Sequence, residues 1–293
     1  KSSMVIDERT TSKDIISYII KQSNEMMENS CLNKSNVLGL GIGIVPLMWG
    51  RLKIFYKDGV LDFSSFIDKI SSGVDLEVQC ANAIGLWALA CTDARIVNSH
   101  QMNQVFLHFG NQTNMAVLNK NELSSDYHSY TYMLEKHIVN PGGRSYEGYP
   151  DGSVKAELSL ASIRTSLAQI YSKENTPVLF EATDGDKSKI DIDKISLSVM
   201  RGEEPVINLV NGIIEKFAVL VNNLAYSFFA QRIILHNLKF TDKQFEYIKK
   251  GVAKITGEEI AERLTLSTIN DKTDFIGGCA LIIQNCFFFR GGI

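Results

Sequence analysis

The stretch from Leu76 to Leu123 constrains the fold of this chain more than any other part of the sequence. It reads as a short strand up to Val78, a sharp turn over Gln79-Cys80-Ala81-Asn82, an apolar helix to about residue 94, a loop and a strand hairpin. Open α/β folds place their ligands where strand ends deliver polar groups to the start of a helix. We therefore expect residues 79–82 to contribute to a ligand site.

The rest of the chain alternates short apolar strands with amphipathic helices, which predicts an α/β fold. Between Gly39 and Gly43 a glycine occupies every second position of an apolar strand, so one strand face carries no side chains. This pattern favours close packing against a sheet or a helix over a ligand that approaches the backbone. Residues 1–10 are expected to form a strand and the loop that follows it. Helical periodicity predicts helices over about 11–30, 159–173, 191–200, 205–225, 242–255 and 276–289. The apolar positions of the 205–225 helix predict one buried stripe, made of Val206, Val210, Ile213, Ile214, Phe217, Leu220, Val221 and Leu224.

The composition excludes several classes of protein. The chain has 293 residues, a net charge of -3, 45% hydrophobic and 22% charged residues, so no basic surplus indicates nucleic-acid binding by this chain alone. The longest apolar runs, such as 84–91, are too short to span a membrane. The five cysteines form no CxxC pair, which favours reduced thiols in a cytoplasmic protein. The chain begins with Lys1 and shows no signal peptide, and we expect that it continues upstream in the complete protein.

Six local motifs, in this order and spacing, carry a resemblance that covers essentially the whole chain. They are GLGIGIVP at 39–46, VQCAN at 78–82, VFLHFGNQT at 105–113, EKHIVNPGG at 135–143, GSVKAELS at 152–159 and IGGCAL at 276–281. Together they resemble the ROK family of bacterial sugar kinases and sugar-responsive repressors. The resemblance implies an actin-like, hexokinase-like α/β fold with two lobes and a cleft between them. It also implies an N-terminal lobe over 1–102 and a C-terminal lobe over 103–293, with the final helix over 276–289 packed back on the first lobe.

The resemblance implies that the catalytic base of the kinases is absent. In that family an Asn-Asp pair before Ala-Asn meets the sugar, and the Asp acts as general base. Here Gln79 and Cys80 occupy those places, while Ala81 and Asn82 are kept. An ordinary thiol, with a pKa near ~8.5, is mostly protonated at neutral pH and is a poor base. No His stands at a spacing that suggests a catalytic pair, so we expect Cys80 to be a core thiol.

Other sugar and metal positions of the family are changed as well. The family's Glu-x-Gly-His becomes Leu134-Glu135-Lys136-His137, so the acid position holds Leu134 and only His137 matches, although a shift by one residue could let Glu135 replace it. Three zinc-binding cysteines correspond to Tyr146, Gly148 and Ser153, and a further sugar-binding Glu corresponds to Lys155. A structural zinc needs about four ligands, so we predict no metal. Lys155 either favours an anionic ligand such as a phosphosugar or is a solvated helix residue.

The phosphate-binding turns are incomplete too. The kinases carry a glycine-rich turn after the strand at Val105, where backbone amides approach the phosphates. Here the turn is Gly110-Asn111-Gln112-Thr113-Asn114, with one glycine. The family's Asp-x-Gly hairpin is expected upstream of Lys1.

These changes together predict a protein that is not an enzyme and uses no cofactor. We expect the effector-sensing and dimerisation part of a ROK-type transcriptional repressor, a homodimer that binds operator DNA through a helix-turn-helix upstream of Lys1. The effector is expected to be a sugar or phosphosugar. The candidate ligand-binding residues are Gln79, Cys80, Asn82, Glu135, His137 and Lys155. Two alternatives stay open, a sugar kinase with altered chemistry and an orphan regulator domain without a ligand.

Overall fold

Strands and helices alternate along the chain, and the predicted α/β class is confirmed. The computed structural model describes residues 3–57, 60–92, 102–110, 112–123, 134–270, 273 and 275–288. The strands are β1 (Leu40–Ile44), β2 (Phe55–Lys57), β3 (Val60–Asp62), β4 (Val78–Asn82), β5 (Gln104–Phe109), β6 (Thr113–Asn119), β7 (Glu122–Leu123), β8 (Arg232–His236) and β9 (Leu264–Leu266).

The helices in the described residues range from single turns to one of six turns. They are α1 (Ser12–Ser30), α2 (Trp49–Leu52), α3 (Ser64–Val74), α4 (Ala83–Ala90), α5 (Val154–Leu158), α6 (Leu160–Ile170), α7 (Pro177–Ala182), α8 (Ile192–Met200), α9 (Glu204–Ser227), α10 (Asp242–Thr256), α11 (Glu258–Ala261) and α12 (Ile276–Ile282). Short 3₁₀ turns cover 34–36, 46–48, 134–136 and 187–189, and a π-helical segment, 283–288, follows α12.

The chain forms two compact units. The first comprises Lys1–Met102, Ala116–Thr131 and Thr268–Ile293, and the second comprises Asn103–Met115 and Tyr132–Ser267. In the first unit β1 and β4 pair in parallel, and β2 and β3 form an antiparallel hairpin. Helix α3 buries Phe66, Ile70 and Val74 at a four-residue spacing, which aligns them on one helix face.

The glycine-rich strand β1 packs directly against two helices, as its alternating glycines predict. A Cβ atom on Gly41 would stand 2.3 Å from the carbonyl oxygen of Gly278 in α12. A Cβ atom on Gly43 would stand 2.9 Å from a methyl group of Leu86 in α4. The missing side chains therefore make room for the backbone of α12 and for the Leu86 side chain of α4 rather than for a ligand.

In the second unit, β8 pairs in parallel with β5 on one side and with β9 on the other. The predicted apolar stripe of α9 is confirmed. Six of its predicted members are buried, and Val210 and Ile213 are half-buried; the buried ones are Val206, Ile214, Phe217, Leu220, Val221 and Leu224.

Two local predictions were wrong, and a third holds with a change of helix type. Residues 79–82 are not a turn, because β4 continues through them in register with β1, from the Leu40–Val78 pair to the Ile44–Asn82 pair. No strand forms over the described residues 3–10, where the Asp7 carboxylate accepts hydrogen bonds from the backbone N–H of Arg9 and Thr10 and holds a turn. The final helix is α-helical only to residue 282 and then becomes π-helical.

Candidate functional site

The six predicted ligand-binding residues lie in two groups. Gln79, Cys80 and Asn82 belong to β4 in the first unit. Glu135, His137 and Lys155 belong to the second unit. Within the second group the structure brings Glu135 and Lys155 into direct contact.

Cys80 carries a half-buried thiol on β4. It stands opposite Ile42 of β1 and packs against the apolar cluster that includes Ile44 and Trp49. Burial raises the pKa of the Cys80 thiol to about 12. The side chain therefore stays protonated at neutral pH and cannot accept a proton as a general base.

The two amide side chains of β4 are engaged by the protein. Gln79 donates through Nε2 to the Glu77 carboxylate at 2.8 Å, and its Oε1 accepts from the Asn285 amide at 3.3 Å. Asn82 is 1% exposed, and its Oδ1 accepts from the backbone N–H of Ile84 at 3.0 Å. Asn82 thus caps the N-terminus of α4. A sugar hydroxyl at Gln79 would have to replace one of these protein partners or share it.

Glu135 and Lys155 form a buried ion pair. The side chains of Glu135 and Lys155 are 8% and 11% exposed, and Lys155 Nζ donates to Glu135 Oε1 at 3.1 Å. The same Oε1 accepts from the backbone N–H of Thr113 at 2.9 Å, while Oε2 accepts from the Tyr149 hydroxyl at 3.1 Å. Three donors therefore neutralise this carboxylate, as burial of a charge requires.

Two tyrosines enclose the ammonium group of Lys155. Tyr146 and Tyr149 meet edge to face, with ring centroids 5.7 Å apart. Lys155 Nζ lies 5.6 Å from the centroid of Tyr146 and 5.7 Å from that of Tyr149. Both distances allow a cation–π attraction. The sequence analysis singled out Tyr146 only as a replacement for cysteine and did not single out Tyr149, so the pairing of their rings around Lys155 emerges from the fold.

His137 lies beside the helix that carries Lys155. Its backbone carbonyl accepts from the N–H of Val154, the first residue of α5, at 2.8 Å. Burial lowers the pKa of the His137 imidazole, so the ring is neutral at pH 7. A neutral imidazole can accept a hydrogen bond from a sugar hydroxyl or donate one to it.

The residues at the positions that the resemblance assigns to zinc ligands do not fit a zinc ion. Tyr146, Gly148 and Ser153 offer no thiolate, and Ser153 Oγ accepts from the backbone N–H of Ala156 to cap α5. Across the part of the chain that the structure describes, no three His, Cys, Asp or Glu side chains are grouped so that they could hold a metal ion.

In the turn after β5, amide groups of Thr113 and Asn114 donate hydrogen bonds to other groups of the protein. Asn111 lies outside the described residues. The N–H of Thr113 donates to Glu135, and Asn114 Nδ2 donates to the carbonyl of Gln112 at 3.3 Å. A Cβ atom on Gly110 would meet His108 Nε2 at 2.9 Å. The N–H of Thr113 is therefore committed to a side-chain carboxylate instead of a phosphate.

A second charged cluster, absent from the sequence predictions, lies in the second unit. Glu157 is 1% exposed, and its carboxylate accepts from Asn140, from the backbone and guanidinium of Arg144, and from Lys216 at 3.3 Å. Burial raises the pKa of Glu157, but these donors outweigh burial and bring the pKa to about 2. The cluster borders a cavity of about 420 Å³ that Gln169 and Leu209 also line. Its donors lie 13 to 59 residues from Glu157 in the sequence, so no local motif indicates the cluster.

Comparison with solved structures identifies the fold. The chain matches a ROK family glucokinase from Streptomyces griseus in complex with glucose and AMPPNP, with a TM-score of 0.59 and 16% identity over 94% of this chain and 89% of that one. It matches a ROK hexokinase from Thermus thermophilus with a TM-score of 0.65 and 13% identity over 95% and 88%. It also matches a ROK family transcriptional regulator, a homologue of the E. coli MLC protein, with a TM-score of 0.62 and 14% identity over 95% and 70%.

These likenesses confirm the predicted fold class, an α/β fold of the actin-like, hexokinase-like type. Identities of 12–16% show the fold alone. No protein-family model matches the sequence. No curated protein matches it either. None of the helices among the described residues is both long and apolar enough to cross a membrane.

Proposed function

We propose that this chain is the effector-sensing and dimerisation domain of a ROK-type transcriptional regulator, and that it binds a sugar or sugar derivative without phosphorylating it. The observation that carries the proposal is Cys80. In the resemblance it stands where the kinases hold their Asp base, and burial raises the pKa of its thiol to about 12. A group that stays protonated cannot take the proton from an attacking sugar hydroxyl.

The phosphate side supports the same proposal. Phosphoryl transfer depends on donors that position and neutralise the phosphates. Here the N–H of Thr113 is bound to Glu135, and Asn237, which follows β8, donates to the backbone of Phe109. Both donors at these strand ends are therefore bonded to groups of the protein itself instead of to a phosphate.

The structural match to a regulator is also in keeping with the proposal. This chain covers 70% of that regulator but 89% and 88% of the two kinases. The fraction of the regulator that lies outside the match is therefore larger than the corresponding fraction of either kinase. We propose that operator DNA is bound by a helix-turn-helix domain upstream of Lys1 in the complete protein, and that the effector acts by favouring one of two states that differ in DNA affinity.

The proposed effector site combines Gln79, Cys80, Asn82, Glu135, His137 and Lys155, on the proposed lobes 1–102 and 103–293. The effector is a neutral sugar rather than a phosphosugar, because the Lys155 ammonium is already paired with Glu135 at 3.1 Å. An anionic ligand would have to compete with a carboxylate that also receives two further donors. Equal or tighter binding of a phosphosugar would remove this part of the proposal.

A sugar kinase with altered chemistry is the second candidate. The observation in its favour is that the matched structures include sugar kinases, such as the glucokinase and the hexokinase. A thermal-shift panel of sugars, phosphosugars and nucleotides separates the two. A shift with sugar alone supports the sensor, and a shift with ATP followed by release of ADP supports the kinase. No shift with any compound favours an orphan domain.

Two further measurements test the regulator assignment. The chain should behave as a homodimer in light scattering, with twice the chain mass of 32.7 kDa. The complete protein should retard operator DNA in a gel, and the sugar should change that affinity. A monomeric complete protein with no DNA affinity would contradict the assignment.

A further inference from the structure

The second unit holds a cavity that the proposed sugar site does not use. Its volume is about 490 Å³, within the ~300–1,000 Å³ range of small-molecule sites. It opens beside the carboxyl ends of the parallel strands β5 and β8, where Phe109 and Leu235 contribute to its wall. This is the edge of a parallel sheet at which α/β proteins bind ligands.

The wall of the cavity is almost entirely aliphatic and aromatic. Helices α6, α8 and α9 contribute Ile163, Ile195, Ile214 and Phe217, and the segment after β8 contributes Phe240. These side chains offer no hydrogen-bond donor or acceptor. An occupant therefore gains affinity from the apolar surface that it buries.

A nucleotide does not suit this cavity, because the strand ends beside it are filled by side chains. Asn237 donates through Nδ2 to the carbonyl of Phe109 at 2.6 Å and so ties the end of β5 to the end of β8. The rings of His108 and His236 lie 5.3 Å apart, and His236 Nδ1 lies 3.0 Å from Ser267 Oγ. A phosphate at this edge would need exposed backbone amides, usually from glycines.

The rim of the cavity carries two exposed cations. Arg164 projects from α6, and Lys239 follows β8. Within the described residues neither the Arg164 nor the Lys239 side chain has a hydrogen bond or an ion pair. The rim carboxylate of Asp191 caps α8 and pairs with Lys194, so its charge is already balanced. The mouth therefore presents unbalanced positive charge above an apolar interior.

We propose that this cavity binds a small amphipathic anion, an aliphatic monocarboxylate of medium chain length, with its chain among Ile163, Ile195 and Phe217 and its carboxylate at Arg164 and Lys239. Charge complementarity at the mouth selects the carboxylate, and the apolar wall selects the chain. This site is independent of the proposed sugar site, since it requires none of the six residues assigned there.

The test is isothermal titration of the whole chain with hexanoate, octanoate and decanoate, each below its micelle concentration. We expect saturable binding at one site, with a Kd that falls about fourfold for each added methylene. Decanol should bind equally well to wild type and to Arg164→Gln, because it lacks the charge. Binding of decanoate should weaken at least threefold in Arg164→Gln and in Lys239→Gln. Lys243→Gln, an exposed lysine outside the cavity, is the matched control and should bind like wild type.

Three results would overturn the proposal. One is the absence of saturable decanoate binding to the folded wild-type chain. Another is equal decanoate affinity in wild type, Arg164→Gln and Lys239→Gln. The third is displacement of decanoate by ATP, which would identify the cavity as a nucleotide site.

Discussion

The buried carboxylate of Glu157 offers the sharpest prediction for stability. It receives hydrogen bonds from Asn140 at 3.0 Å and from the Arg144 backbone at 2.7 Å, and it pairs with Lys216 at 3.3 Å. In Glu157→Gln the neutral amide keeps one acceptor oxygen, and its NH₂ group faces the cations Arg144 and Lys216. The folded variant therefore lacks the negative charge that balances Arg144 and Lys216.

The magnitude follows from the pKa of Glu157, which the protein lowers from 4.5 to about 2. At ~1.4 kcal/mol per pH unit this difference corresponds to roughly 3 kcal/mol. Arg144 and Lys216 are partly exposed, at 37% and 26%, so solvent screening reduces the effect, and we expect about 2 kcal/mol. Because the folded pKa is below the unfolded one, this stability is present above pH 4.5 and is lost as the pH falls towards 2.

Urea denaturation of wild type and Glu157→Gln at several pH values measures the effect. The two proteins should differ by about 2 kcal/mol at pH 7, and the gap should narrow as the pH drops below 4.5. Glu147→Gln, an exposed neighbour in the same loop, should match wild type throughout. A gap below about 0.5 kcal/mol at pH 7, or a gap that does not narrow in acid, would refute the reasoning.

Three further predictions concern packing, the buried ion pair and pH. Gly277→Ala places a Cβ atom 1.9 Å from the carbonyl oxygen of Leu86 and should lower the free energy of unfolding by about 3 kcal/mol in the same urea assay. Gly212→Ala, the control, has open space around the new Cβ atom and should be neutral or stabilising by up to ~1 kcal/mol. Lys155→Met leaves the buried Glu135 without its cation and should cost roughly 3 kcal/mol; a loss below ~1 kcal/mol would contradict a structural role for the pair. Burial and the neighbouring His236 lower the pKa of His108 to about 4, so the unfolded state takes up a proton on this residue at a higher pH than the folded state. After allowance for partial exposure, the free energy of unfolding of wild type should fall by ~1–2 kcal/mol between pH 7 and pH 5, and His108→Gln should flatten that dependence.

Local pattern predicted much of the fold. Periodicity located α9 and its buried stripe because an amphipathic helix needs no knowledge of its partner. The glycines at 41 and 43 predicted close backbone packing, and the structure adds the helices that approach them. The end of β4 was misjudged because its extension to Asn82 depends on pairing with β1, which lies 38 residues earlier in the chain at each register position.

The candidate site was less predictable, because its contacts join distant residues. Lys155 and Glu135 were singled out separately, but their pairing across 20 residues depends on how the segment between them folds. The Glu157 cluster links Asn140 with Lys216 on α9, and the apolar cavity collects residues from β5 to α10. Chemistry of this kind depends on tertiary structure, which a single sequence pattern does not encode.

The central claim is that the chain recognises a sugar but cannot phosphorylate it. The most direct measurement follows ADP release, coupled to NADH oxidation, with ATP, Mg²⁺ and a panel of hexoses and N-acetylhexosamines, and in parallel titrates the same sugars calorimetrically. The account predicts saturable binding of at least one sugar and no ADP release above the sugar-free control, because the Cys80 thiol, with its pKa of about 12, cannot act as base. Sugar-dependent ADP release that saturates with ATP would contradict it.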